Sequence, residues 1–284
     1  MAVMETHEKL ERLEVLLRGM GRVAVAFSGG VDSAFLLAAA AQTLQSKNVL
    51  AVTADSPVYA RREIAEARAL ARRLGVQHVL ITTRELEDPR YRNNPPDRCF
   101  HCKQELFAKL RKVAEQHGFA QIVDGTTASD LKDYRPGLRA REPYGVRSPL
   151  AEAGLTKPEI RMLSKEMGLP TWEKPAMACL ASRLPYGSSI TVEKLRQVEE
   201  AEEFLYQFQL RQLRVRHHGE IARIEVDPQD FATLLQHREE IVRKLKALGF
   251  RYVALDLKGY RTGSLNETHL RSGREEADEI PKRG

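Results

Sequence analysis

Six consecutive residues, Ser28-Gly29-Gly30-Val31-Asp32-Ser33, have the types and spacing needed to hold a chain of phosphates. Two glycines let a backbone approach an anion closely. A helix starting beside them would aim its N–H groups and the positive end of its dipole at that anion. Ser28 and Ser33 contribute hydroxyl donors, and Asp32 is placed to hold a Mg²⁺ ion bridging the phosphates. The lysine of a Walker-A loop is missing, so γ-phosphoryl transfer is not the natural chemistry.

Cysteines and arginines supply the other reactive positions. Cys99 and Cys102 form a C-x-x-C pair, and Cys179 lies far downstream. A C-x-x-C pair just ahead of a helix also suits a zinc clip or a redox pair. Arg214-Val215-Arg216 reads as part of a strand, where alternate residues share a face, so two guanidiniums could grip a phosphate together. The alternative is a solvated charged strand face. Arg183, close to Cys179, is a further candidate for an anionic ligand. His217 and His218 are adjacent on the same strand and point to opposite faces, which fits an exposed strand end better than a metal site.

These positions need elements to hold them. Residues 22–27 form a short apolar run that breaks at Ser28, a buried strand entering a turn, and Ser33–Leu44 is an apolar helix. Further strands are expected at 49–53, 76–82 and 121–124. They alternate with helices at 64–74, 102–116 and 156–167, the last opened by a Thr156…Glu159 capping box. The alternation predicts an α/β fold, a parallel sheet with helices on both faces, whose ligand site lies beyond the carboxyl ends of the strands. The loops at 28–33, 53–57 and 124–130 all fall there. After a Gly- and Pro-containing joint at 168–187 come a helix at 192–207 and strands at 213–217, 222–226 and 252–257. A further helix starts at Asp227-Pro228, giving a smaller C-terminal α+β domain. The expected organisation is 1–170, 171–270 and a loose charged tail at 271–284.

Composition narrows the class. The 284 residues are 42% hydrophobic and 30% charged, enough for one large core or two modest ones and too balanced for a disordered chain. No stretch approaches the ~18 apolar residues of a membrane-spanning helix, and the acid-rich N-terminal sequence predicts no export signal. A cytoplasmic, reducing compartment follows, where thiols serve as ligands or nucleophiles. Of the net +6, residues 1–182 contribute 27 basic and 22 acidic side chains, and residues 183–284 contribute 18 and 17. So diffuse an excess suits ATP and small anions better than a nucleic-acid partner.

The Ser28–Ser33 hexapeptide matches SGGxDS, the signature of the PP-loop ATP pyrophosphatases. That resemblance implies a loop that grips the β,γ-pyrophosphate of ATP while attack occurs at the α-phosphate, with Thr53, Asp55 and Gly125 flanking the nucleotide. The segments DRCFHCK (97–103), DGTTASDLKDYRPG (124–137), VRSPLAEAGLTK (146–157), MACLASR (177–183) and LDLKGYRTGSLN (255–266) resemble the LarE family over nearly the whole chain. The family resemblance implies adenylation of the carboxylates of pyridinium-3,5-biscarboxylic acid mononucleotide and their conversion to thiocarboxylates, in the maturation of lactate racemase. It also assigns Arg214 and Arg216 to the phosphate of that small anionic substrate and predicts a homo-oligomer. In the single-cysteine form of the family a residue matching Cys179 surrenders its own sulfur. The additional Cys99 and Cys102 resemble a branch in which three cysteines hold a [4Fe-4S] cluster that accepts sulfur from sulfide or a carrier. A tRNA-thiolating PP-loop enzyme, an amidotransferase-type synthetase and a non-catalytic ATP-binding module are the rival readings.

Overall fold

A computed structural model of the chain describes residues 2–132, 136–175, 178–210 and 212–261. The expected tail and parts of three of the quoted segments (133–135, 177 and 262–266) lie outside the described residues. The chain divides into two compact units. The first comprises Met1–Arg92 and Pro96–Met177, and the second comprises Asn93–Pro95 and Ala178–Gly284.

The first unit is an α/β layer structure built on β1 (Val23–Ala26), β2 (Val49–Asp55), β3 (Gln77–Thr82), β4 (Gln121–Asp124) and β5 (Val146–Arg147). All its pairings are parallel, in the order β3-β2-β1-β4-β5. Runs such as VAVA and VLAVTAD are apolar on both faces because helices cover both. Those helices are α1 (Ala2–Met20), α2 (Val31–Leu44), α3 (Arg61–Arg73), α4 (Pro89–Arg92), α5 (Arg98–Gln116), α6 (Pro149–Glu152) and α7 (Lys157–Glu166). The central α2 is apolar nearly all round and almost wholly buried, packed among Leu13, Leu17, Val23, Val25, Ile160 and Leu163. The chain leaves β1 toward β2 on one side and returns to β4 on the other. This reversal opens a crevice at the carboxyl end of β1.

The second unit carries α8 (Val192–Tyr206), β6 (Leu213–His218), β7 (Ile221–Val226), α9 (Phe231–Gln236), α10 (Arg238–Ala247) and β8 (Tyr252–Leu255). Its sheet is mixed, with β7 antiparallel to β6 and parallel to β8. Leu205, Val215, Ile224, Ile241 and Leu245 centre its own core. The helix expected from Asp227 begins as one 3₁₀ turn, Pro228–Asp230, capped by Asp227, whose carboxylate accepts from Gln229 N–H at 3.0 Å.

Candidate functional site

The glycine loop sits where the sheet reverses. Register aligns Ala26 of β1 with Val52 of β2 and Asp124 of β4, so Ser28 and Gly125 follow the ends of β1 and β4, while β2 runs on through Thr53 to Asp55, further than the loop expected at 53–57. Gly29 has φ +75°, and a Cβ there would come within 3.0 Å of Ala67 on α3. Gly30 is the N-cap of α2, whose first-turn N–H groups have no acceptor inside the helix. Ser33 Oγ donates to the Gly30 carbonyl at 3.3 Å and lies 3.1 Å from Ser28 Oγ, while Gly30 N–H reaches Ser28 Oγ at 3.4 Å. Val31 and Asp32 open the helix, with Asp32 half-buried in its first turn. The arrangement is a cradle of N–H and hydroxyl donors at a positive helix end, suited to an anion.

Beside the loop lies an open pocket of about 450 Å³, lined by Phe27, Ser28, Thr53, Tyr59, Ile64 and Leu106 among others. Its walls are largely apolar, as ligand pockets commonly are. The Thr53 hydroxyl lines it but is engaged: it donates to the Phe27 carbonyl at 2.6 Å and accepts from His78 Nε2 at 2.8 Å. Burial, then the charge of Arg68, hold His78 below its ordinary value, so it serves as a neutral donor. Asp55, at the end of β2, pairs with Arg61 at 2.5 Å.

On the other side of the loop, Asp124 is buried. It accepts from Ser148 Oγ at 2.6 Å, Thr126 Oγ1 at 2.9 Å and Thr126 N–H at 3.1 Å. This network fixes Gly125, where a Cβ would lie 2.9 Å from Ser33 N and 3.2 Å from the Asp32 carbonyl carbon. Only glycine lets β4 pass so close to the start of α2.

The cysteines correct one expectation. Cys99 and Cys102 are not in a loop ahead of a helix but inside α5, which begins at Arg98, with Cys99 in its first turn and Cys102 at the start of the second. Asp97 turns the chain and Phe100 N–H already bonds its carbonyl at 2.8 Å, so the helix starts earlier than its apolar periodicity suggests. Spaced i, i+3, the two thiols share a helix face, and Cys102 Sγ lies 3.6 Å from the hydroxyl of Tyr59 in the pocket wall. All three cysteines are free of disulfides. Among the described residues no group of three or more His, Cys, Asp or Glu side chains gathers as a metal site.

In the second unit Cys179 precedes a 3₁₀ turn, Leu180–Arg183, and Arg183 holds that turn together. Its guanidinium is 3% exposed. It forks onto Glu202 at 3.0 and 2.9 Å, and donates to the Ala178 and Cys179 carbonyls at 2.5 and 3.2 Å. Arg183 is thus buried behind the cysteine, positioning its backbone. Arg214 and Arg216 are buried as well, which overturns the solvated-face alternative. They are not equivalent. Arg216 donates twice to the fully buried Glu225 at 3.0 and 2.8 Å and once to the Ser182 carbonyl at 2.8 Å. Arg214 donates to the Leu213 carbonyl at 2.7 Å and lies over the Tyr260 ring. Burial, then the charge of Arg183, pull its guanidinium below the ordinary value, a cost that an incoming anion would relieve. His217 is also buried, against the expectation of an exposed strand end. It meets Gln197 at 3.0 Å and the ring of Phe250, because α8 and the turn after α10 cover it.

Glu202 leaves a trace in the sequence, since it falls on the apolar stripe of α8 (Leu195, Val198, Ala201, Leu205). A carboxylate at such a position signals a buried partner. Glu225 leaves none: it alternates with Ala222, Ile224 and Val226 and shares the other face of β7 with Arg223.

Comparison with known proteins agrees with this geometry. A family model described as asparagine synthase matches residues 13–99, the span from α1 through the glycine loop to the start of α5. An uncharacterized protein of Synechocystis is 43% identical over 260 residues, 91% of this chain and 97% of its own. The tRNA-specific 2-thiouridylase MnmA of Desulforamulus reducens is 29% identical over 54% of this chain and 53% of its own. The pyridinium-3,5-bisthiocarboxylic acid mononucleotide synthase of Lactiplantibacillus plantarum is 40% identical over 260 residues, spanning 92% of this chain and 94% of its own. With both units matched at that level behind a PP-loop, the chain belongs to the LarE family of ATP-dependent sulfur transferases.

Proposed function

We propose that this enzyme adenylates the carboxylates of pyridinium-3,5-biscarboxylic acid mononucleotide and converts them to thiocarboxylates, releasing AMP and pyrophosphate. The observation that carries the reading is the match to the synthase across both units. The thiouridylase match covers only about half the chain, so a small nucleotide acceptor is favoured over tRNA. In the first step a substrate carboxylate oxygen attacks the α-phosphorus and pyrophosphate leaves. The helix end, Ser28 and Ser33 hold the departing β,γ-phosphates, and Asp32 would hold a Mg²⁺ ion, which when bound would offset phosphate charge. The pocket beside Thr53 takes the adenine, with Asp55 and Gly125 bounding the nucleotide. Arg214 and Arg216 bind the substrate's phosphate. In the second step a sulfur nucleophile attacks the activated carbonyl carbon and AMP leaves, a far better leaving group than oxide.

Three disulfide-free thiols, two of them on one helix face, fit the thiolate donor set of an iron–sulfur cluster. Cys99, Cys102 and Cys179 would hold a [4Fe-4S] cluster, which when bound supplies an iron open to an extra sulfide. The test is turnover with ATP, sulfide and the mononucleotide acceptor on anaerobically purified protein. Expected results are AMP with pyrophosphate, iron in the purified protein, a chain of unchanged mass, and several sulfurs transferred per chain. ADP as product would overturn the PP-loop chemistry. Full activity of Cys99→Ser and Cys102→Ser variants, with loss of H₂S mass from Cys179, would establish the sacrificial route instead.

A further inference from the structure

The glycine loop and α2 bring no cation to a polyanionic ligand. From Ser28 to Leu44 there is no lysine or arginine, and Asp32 adds a negative charge. The first unit places one there from a distant part of the sequence. Lys174 Nζ donates to the Gly29 carbonyl at 3.2 Å and meets Glu66 Oε2 at 2.7 Å, with its side chain 15% exposed.

Three features make this ammonium more than a clip. Its backbone is held from α7: Arg161 donates to the Trp172 carbonyl at 2.6 Å and to the Lys174 carbonyl at 2.8 Å, and Lys165 lies 4.5 Å above the Trp172 ring. Glu66 has a second cationic partner, Arg62 Nε at 2.9 Å on its other oxygen, so it stays paired if Lys174 moves. Burial raises the Glu66 carboxyl, but the bonds from Lys174 and Arg62 outweigh it, keeping Glu66 ionised. Finally, an ammonium has three N–H donors, and two are accounted for here.

We propose that Lys174 is a further pyrophosphate-binding residue, supplying from the segment after α7 the cation that the glycine loop lacks. Its flexible stem lets the ammonium turn from Glu66 to a β- or γ-phosphate oxygen while Arg62 keeps Glu66 neutralised. It returns to Glu66 when pyrophosphate departs. The proposal rests on the AMP-forming reading of the same loop.

Inorganic pyrophosphate binding by calorimetry, with AMP as the control ligand, tests it directly. Lys174→Gln should weaken pyrophosphate binding by about tenfold to a hundredfold, the value of a charge-assisted bond. AMP affinity, which involves no β,γ-phosphates, should not change. Lys174→Arg should recover part of the loss, and Glu66→Gln, which frees the ammonium, should retain or tighten pyrophosphate binding. If Lys174→Gln binds pyrophosphate like the native protein, or if Glu66→Gln loses binding to the same extent as Lys174→Gln, the lysine is a structural clip and the proposal fails. Failure of the AMP-forming reading has a separate sign: the native enzyme would release ADP whatever the behaviour of Lys174.

Discussion

Gly125 and Arg183 illustrate how backbone packing and a buried clamp can govern a site. A methyl group at Gly125 would meet backbone atoms of Ser33, which cannot move without shifting the first turn of α2. Gly125→Ala should therefore lower thermal stability by about 1–3 kcal/mol and weaken ATP binding together, read by melting and nucleotide titration. Asp32→Ala should separate the two: AMP formation is lost and the melting temperature nearly holds, because a half-buried carboxylate in the first turn of α2 contributes little packing. For Arg183 the expected loss is larger. Arg183→Met strands Glu202, 5% exposed, in the interior without its ion pair and costs about 3–5 kcal/mol. Arg183→Met with Glu202→Leu should recover much of that stability while leaving the cysteine turn without its clamp and turnover impaired. Equal recovery of stability and activity would mean that the clamp has no positioning role. Arg214→Gln is the cleaner probe of the acceptor phosphate, since Arg216 also neutralises Glu225. It should cost about 1.5–3 kcal/mol in acceptor binding with ATP affinity unchanged.

Among the elements, α7 was the most fully written in the sequence. Its capping box forms as expected: Thr156 Oγ1 and N–H both reach Glu159 Oε2, at 2.6 and 2.8 Å. Glu159 also takes Lys9 of α1 at 2.7 Å. Thr156→Ala should cost about 1 kcal/mol by thermal melting. The four longer strands of the parallel sheet were legible for a similar reason, since short apolar runs bounded by turns have few other solutions. The two-residue β5 was not, because its pairing with β4 comes from tertiary packing rather than from any run of its own. The glycine loop was legible because its chemistry is local, six residues in one stretch. The burial of Arg183, Arg214 and Arg216 was not: their partners Glu202 and Glu225 lie on other elements, and charge pattern alone does not reveal a shared interior. His217 carries a pH consequence of the same burial. Its value is held down by burial, then by Lys194, so the unfolded chain binds the proton more readily. The contribution is full above the ordinary value of about 6.5 and is lost as pH falls below it. Melting temperature should drop between pH 7 and 5.5, less steeply in His217→Gln.

At the scale of the molecule, the chain enters the second unit twice. Asn93–Pro95 belong to it although they lie between α4 and α5 in sequence. Asn94, fully buried with φ +57°, donates its side-chain amide to the Pro185 and Ser188 carbonyls at 2.7 and 3.1 Å, and its carbonyl accepts from Gly187 N–H at 3.0 Å. The consequence concerns the order in which the protein is made. Asn94 leaves the ribosome 94 residues before Ser188. At about 5–20 residues per second it waits roughly 5–20 s for the backbone it must hold. The first unit can close its sheet in that interval, but the second cannot finish until a tripeptide threaded out of the first is met by sequence not yet synthesised. Cutting the gene at residue 177 should therefore leave a downstream fragment whose turn at 184–188 lacks Asn94 and the three hydrogen bonds it makes to Pro185, Gly187 and Ser188, and which melts below the same unit in the full chain.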